Sequence, residues 1–234
     1  MSDTRTVGVI GGLGPAATLD FFDRILKRTK AVRDQDHLRL IIDNNTKIPD
    51  RNAAARGEGP LPGPAIAATA KRLQDAGADF IVIACNTAHE HEAEIKAAIS
   101  VPFLNMIEET VKVAAELRPA KAGVLAGDAC LKAELYQKAL RKAGIEPVLL
   151  GADSQKTMME LIYRIKAGDT GETVRRSMTT LARKLEAQGA EVVIAGCTEA
   201  PIVMGPDDID GELISSTDVL VERTIVFAGA ELRD

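Results

Sequence analysis

Short apolar runs recur along the chain and alternate with longer stretches in which apolar residues return every three or four positions. The short runs are Val7 to Ile10, Leu38 to Ile42, Phe80 to Ala84, Gly123 to Leu125, Val148 to Leu150 and Val192 to Ala195. They suit strands buried on both faces, because a parallel strand covered by helices on each side shows no polar alternation. Strand and helix patterns in regular succession predict βαβ units and a doubly wound sheet.

The pattern also repeats within the chain. At an offset of 112 residues, Lys71-Arg72-Leu73 falls on Arg183-Lys184-Leu185, Gly77-Ala78-Asp79 on Gly189-Ala190-Glu191, and Cys85 on Cys197. At an offset of 115, Gly8-Val9-Ile10 falls on Gly123-Val124-Leu125, and Phe21 on Tyr136. The expected fold class is α/β: two pseudo-symmetric, doubly wound domains with parallel sheets. Residues 1–102, with 214–234 packing back on them, form one half, and residues 103–213 form the other. The active site is expected in the cleft between the halves, at the carboxyl ends of the strands. The stretch Pro49 to Pro64 holds four prolines and three glycines, and is read as a long loop that continues neither strand nor helix, of a kind that often serves as a lid.

Composition narrows the class. With 234 residues, 46% of them apolar and 27% charged, the chain is large enough to bury a substantial core. The net charge of -5 comes from interspersed residues of both signs, without the one-sided basic field that nucleic acid or an anionic membrane requires. No apolar run approaches a membrane span, and Met1-Ser2-Asp3-Thr4-Arg5 leads into a β-like stretch instead of a signal-peptide core, so a cytoplasmic protein is expected. Three cysteines, an odd number, argue against a disulfide framework and for thiols that are either buried fillers or chemical groups.

Two of the three occupy matching places. Cys85 ends the run Phe80-Ile81-Val82-Ile83-Ala84 and is followed by Asn86-Thr87-Ala88-His89-Glu90, where Thr87 and Glu90 have the spacing of a capping box. Cys197 follows Val192-Val193-Ile194-Ala195-Gly196 and precedes Thr198-Glu199-Ala200-Pro201, with Pro201 suited to a first helical turn. Free amide donors and a helix dipole at such turns favour a thiolate. A lone cysteine after a buried strand is ordinarily a small apolar residue. Two at equivalent points of related halves instead have the arrangement that two-base proton exchange at one carbon needs. Cys130, after Gly127-Asp128-Ala129, has no counterpart in the first half and reads as structural.

The segments Gly11-Gly12-Leu13-Gly14-Pro15, Ile48-Pro49-Asp50-Arg51, Ala84-Cys85-Asn86-Thr87-Ala88-His89 and Gly196-Cys197-Thr198-Glu199 resemble the aspartate/glutamate racemase family, most closely its aspartate racemase branch, over nearly the whole chain. The resemblance implies an amino-acid racemase that uses neither pyridoxal phosphate nor metal, acts on an acidic amino acid and forms a homodimer. One cysteine removes the α-proton and the other delivers one to the opposite face. It also implies that Asn86, Thr87 and Thr198 hold the α-amino and α-carboxylate groups. Arg51 and Lys166 resemble the aspartate racemase pair on the side-chain carboxylate, for which a guanidinium offers a bidentate grip.

The chain departs from that pattern at Gly127-Asp128-Ala129-Cys130, where the family carries a threonine-rich turn. Asp128 then either repels a second substrate carboxylate or binds the ammonium group. Four other readings are weaker. His89 and His91 near Cys85 form an imaginable zinc set without a second ligand cluster. Gly12-Leu13-Gly14 is a loose dinucleotide fingerprint in which Pro15 removes an amide donor. A redox dithiol lacks Cys-x-x-Cys spacing. A non-catalytic relative would not be expected to keep both cysteines. Within the family, glutamate or broad-specificity racemases and maleate-isomerase-like enzymes are the alternatives to aspartate racemisation.

Overall fold

The computed structural model describes residues 4–233; Met1 to Asp3, read above as leading into the first strand, and Asp234 lie outside the described residues. The chain divides into two units, one comprising the chain up to Met106 and again from Thr217, the other Ile107–Ser216.

In the first unit, β1 (Val7–Gly11) lies between β2 (Leu40–Asn44) and β3 (Phe80–Ile83), all parallel. Every residue of β1 and β3 is buried, which is why these runs carry no polar alternation. Phe21 and Ile25 of the helix Pro15–Arg28 pack with Leu220, Val221 and Ile225 of the helix Ser216–Ala228 on Val7, Val9, Phe80 and Val82. Ile66, Ala70 and Leu73 of the helix Gly63–Asp75 pack on Ile10, Ile81 and Ile83.

The second unit repeats this order with one strand more. β4 (Lys121–Leu125) lies between β5 (Glu146–Val148) and β6 (Val192–Ala195), and β7 (Glu212–Ser215) pairs in parallel outside β6. β1, β2 and β3 thus correspond to β4, β5 and β6, and a cysteine follows the third strand of each set. The sheet packs against the helices Ala152–Lys166 and Glu172–Ala187 through Met158, Ile162, Leu181 and Leu185.

The repeat extends to atomic packing. A Cβ on Gly8 would lie 2.8 Å from Ala78 Cβ and 3.2 Å from Leu73 Cβ; one on Gly123 would lie 2.8 Å from Leu185 Cβ and 3.2 Å from Ala190 Cβ. Leu73 and Leu185, like Ala78 and Ala190, are partners in the sequence repeat. Each half therefore seats the same helix-to-strand connection on a bare stretch of its first strand.

Several boundaries differ from the hydrophobic pattern. β2 and β5 are offset by two residues from the runs read as Leu38 to Ile42 and Val148 to Leu150. Both are edge strands, where burial constrains the pattern least, and β5 accommodates Pro147 because an edge strand can lose a donor. The stretch Pro49 to Pro64 is not wholly loop. Asp50 Oδ1 accepts the Ala53 amide at 2.7 Å and starts a short helix, Arg51–Ala55, and Pro64 sits in the first turn of the helix Gly63–Asp75. Asparagine and alanine after a good cap outweigh the prolines, none of which lies inside a helix past its first turn. Among the described residues no helix is long and apolar enough to cross a membrane.

Gly8→Ala and Gly123→Ala should each destabilise by about 1–3 kcal/mol through overpacking. Urea titration checks this, and unchanged midpoints would show that the two connections yield freely.

Candidate active site

In the first unit, Cys85 follows β3, and the chain turns at once through Asn86 into a 3-10 segment, Thr87–His91, that continues as the helix Glu92–Ala98. Cys85 and Asn86 are buried and Thr87 is half-buried. The capping box expected from Thr87 and Glu90 does not form. The cap position belongs to Asn86, whose backbone is already helical (φ -60°, ψ -51°) and which makes no side-chain cap bond. A capping box needs an extended cap residue, and this turn supplies none.

His89 holds the turn instead. Its Nδ1 lies 3.0 Å from the Cys85 carbonyl oxygen and 3.2 Å from that of Asn86, while the Met106 amide donates to Nε2 at 3.0 Å. These partners assign the proton to Nδ1, since carbonyls only accept and an amide only donates. The ring is 4% exposed, and burial lowers its pKa to about 4 against a partial opposing effect of the two carbonyls. Both ring nitrogens are thereby spent on backbone. Among the described residues no group of three or more His, Cys, Asp or Glu side chains is placed to hold a metal ion.

Arg51 is also placed by backbone. It opens the helix Arg51–Ala55, and its guanidinium donates to the carbonyls of Leu13 and, at 3.1 Å, Pro49. Leu13 belongs to the glycine turn after β1. There Gly12 has φ +84°, and a Cβ would meet the Asn45 backbone at 2.5 Å, so that turn requires glycine. Thr18 ties the turn down, accepting from the Gly12 amide at 2.9 Å and donating to Gly14 O at 3.1 Å. Asp43, near the end of β2, pairs with Arg72 at 2.8 Å.

In the second unit, Cys197 follows β6 through Gly196 and precedes the four-residue helix Ala200–Val203, with Pro201 in its first turn. A Cβ on Gly196 would come within 2.7 Å of Tyr136 Cε2. Tyr136 is fully buried, hydrogen-bonds to Thr110 and Ser216, and has a hydroxyl that burial makes harder to ionise. Ser216 in turn donates to Ala195 O at 2.8 Å, fastening the last residue of β6.

Cys197 is half-buried, and its Sγ donates to Glu199 Oε2 at 2.8 Å. The expectation that this turn favours a thiolate is not met at Cys197. Burial pushes the thiol well above its ordinary range, the Glu199 carboxylate pushes it further, and Lys166 opposes them more weakly. One turn of helix carries too small a dipole to offset a desolvated carboxylate.

Thr198 is 4% exposed, with Oγ1 3.4 Å from Glu199 Oε2. Lys166 ends the helix Ala152–Lys166 and pairs with Glu199 Oε1 at 2.9 Å. Asp128 accepts from Gln155 Nε2 at 2.7 Å, and Cys130 is fully buried in the short helix Asp128–Lys132.

The structure thus brings Lys166, Cys197 and Thr198 together around Glu199, and sets Cys85, Asn86 and Thr87 on the turn braced by His89. Arg51 stands at the glycine turn of the first unit. Glu199, Tyr136 and Gln155 received no role from the sequence. Only Glu199 left a signal there: an acid in an apolar setting two residues after a cysteine, a position that demands a partner.

The family model described as Asp/Glu/Hydantoin racemase matches residues 10–224. The broad specificity amino-acid racemase RacX of Bacillus subtilis (strain 168) is 30% identical over 225 residues, covering 94% of this chain and 96% of that protein. The structure of Picrophilus torridus aspartate racemase superposes with a TM-score of 0.89 at 30% identity, covering 98% of this chain and 96% of that one. Glutamate racemase from Francisella tularensis, solved with D-glutamate, shares the fold at a TM-score of 0.68 and 20% identity, covering 96% of this chain and 80% of that one.

The buried neutral His89 makes stability depend on pH. Its folded pKa, about 4, lies below the ordinary 6.5. The contribution is therefore complete above pH 6.5 and is lost as pH falls towards 4, amounting to about 3 kcal/mol. His89→Gln should remove that part of the acid dependence in denaturation curves taken from pH 7 to pH 4. An unchanged slope would mean that another group carries it.

Proposed function

Because the chain belongs to the Asp/Glu/Hydantoin racemase family and is thus an isomerase, we propose that it interconverts L- and D-aspartate by two-base proton transfer without a cofactor, Cys85 and Cys197 serving as the two bases. The observation that carries this reading is the equivalence of the two cysteines: each follows the third strand of a sheet built in the same order.

In one direction the Cys85 sulfur takes the α-proton while the Cys197 thiol, held protonated beside Glu199, delivers its own to the opposite face. In the other direction the roles exchange. An α-proton flanked by an ammonium and a carboxylate is weakly acidic, so donors arranged in advance must stabilise the carbanion. Asn86, Thr87 and Thr198 are proposed to hold the α-substituents, and Arg51 and Lys166 the side-chain carboxylate. Arg51 suits that task because backbone carbonyls already fix its plane.

A broader substrate range is the second reading. Lys166 is already paired with Glu199, which lessens its pull on a substrate carboxylate, and RacX, which covers nearly the whole chain, has broad specificity.

Chiral chromatography of the chain incubated with each enantiomer of aspartate, glutamate and alanine, with no cofactor added, tests both readings. Aspartate should approach a 1:1 mixture from either side, and Cys85→Ser and Cys197→Ser should each lower the rate by about 10²–10⁴-fold. Full activity in either variant contradicts the two-base scheme, and alanine turned over as fast as aspartate establishes the broader range. Arg51→Ala should raise KM for aspartate by about 10–100-fold through loss of a charged hydrogen bond, and an unchanged KM removes Arg51 from the site.

A further inference from the structure

Two residues beyond Cys197 the fold buries a carboxylate whose surroundings suit a task. Glu199 is 4% exposed, and a buried acid is costly unless the groups around it compensate its charge. Oε2 takes the Cys197 thiol at 2.8 Å and faces Thr198 Oγ1 at 3.4 Å. Oε1 lies 2.9 Å from Lys166 Nζ, in a charge contact without the alignment of a directed hydrogen bond. Lys166 is itself largely buried, its side chain 25% exposed. The result is a line of three groups, ammonium, carboxylate and thiol, at the end of β6.

We propose that Glu199 is the proton partner of Cys197: its carboxylate keeps the thiol proton in place when Cys197 acts as acid, and receives that proton when Cys197 must act as base, with Lys166 holding the carboxylate. The proposal rests on the two-cysteine reading above.

A thiol in such surroundings resists ionisation, because a new charge would appear in a poorly solvated place next to an existing one. Passing the proton to Glu199 avoids this, for one negative charge moves from oxygen to sulfur and the total beside Lys166 stays the same. In the acid stroke the S–H bond breaks as the Cα–H bond forms, the sulfur keeps the electron pair and takes over the carbanion's charge, and on product release Cys197 regains a proton from water while Cys85 gives up the one it took. In the base stroke the thiol proton first passes to Oε2, giving a thiolate and a neutral carboxyl. The thiolate then removes the α-proton, Cys85 supplies the other face, and the carboxyl proton and the one Cys85 regains exchange with water on product release. Glu199 touches no substrate in this scheme and acts only through Cys197.

A merely structural ion pair would not set the reactivity of the thiol, and this separates the two roles. Alkylation by iodoacetamide, followed across pH for each cysteine by peptide mass spectrometry on the full chain, reads that reactivity without turnover. Glu199→Gln should lower the alkylation midpoint of Cys197 by about 1–3 pH units, and Lys166→Met should raise it by about 1, while Cys85 keeps its curve. Cys130, fully buried, reports an intact fold by staying unreactive. In the racemisation assay Glu199→Gln should reduce kcat by about 10–100-fold with little change in KM, and Glu199→Asp should restore part of the loss. A Cys197 midpoint unmoved by Glu199→Gln with Cys130 protected overturns the proposal. If that variant exposes Cys130, Lys166→Met decides, and an unmoved midpoint there overturns it equally. Absence of racemisation by the unmodified chain is a separate result that overturns the two-cysteine reading, not the coupling of Cys197 to Glu199.

Discussion

Close approach of a helix to a bare strand sets the positions of everything else in each unit. Gly8 and Gly123 present no side chain where Leu73 with Ala78, and Leu185 with Ala190, come down on the sheet. These contacts fix where the following strand begins. In register, Gly8 stands beside Ile81 and Gly123 beside Val193, so β3 and β6 end at Ile83 and Ala195. Cys85 and Cys197 come two residues after those ends. Interiors packed near crystal density leave little slack, and a shift at the glycine would carry through to the cysteine.

From that shared scaffold the two turns diverge in their chemistry. At Cys85 a neutral imidazole grips the backbone on both sides of the turn and leaves the sulfur to its surroundings. At Cys197 the grip falls on the sulfur itself, through Glu199 and Lys166, while Tyr136 and Ser216 secure the backbone from beneath. Two thiols that the repeat makes equivalent in the chain are thus unequal in their electrostatic setting. A racemase handling mirror-image substrates has no need of identical bases, only of a proton on one and not on the other at the start of each stroke.

The α/β class and the parallel strands were legible because buried strands and a repeat leave a periodic trace, and the family because the glycine turn, the segment around Arg51 and the two cysteine turns resemble its motifs. The boundaries of β2 and β5 were not, since edge strands carry a weaker pattern, and β7, only four residues and opening on Glu212, left too little apolar signal. Cysteine positions at strand ends could be read from order alone. What faces each sulfur could not: Glu199 meets Lys166 across more than thirty residues of chain, and no local spacing encodes that contact. The same holds for Tyr136 beneath Gly196, where glycine could be noticed but not the ring that requires it.

Two separate sulfurs are proposed to handle the two protons, and deuterium labelling reads that division of labour in the products. With L-aspartate in deuterated water, sampled by NMR and chiral separation before a few per cent has turned over, α-deuterium should appear in the D-product and protium should persist in the recovered L-substrate. Equal early labelling of both enantiomers would mean that a single group moves the proton on both faces, and would rule out two separate bases.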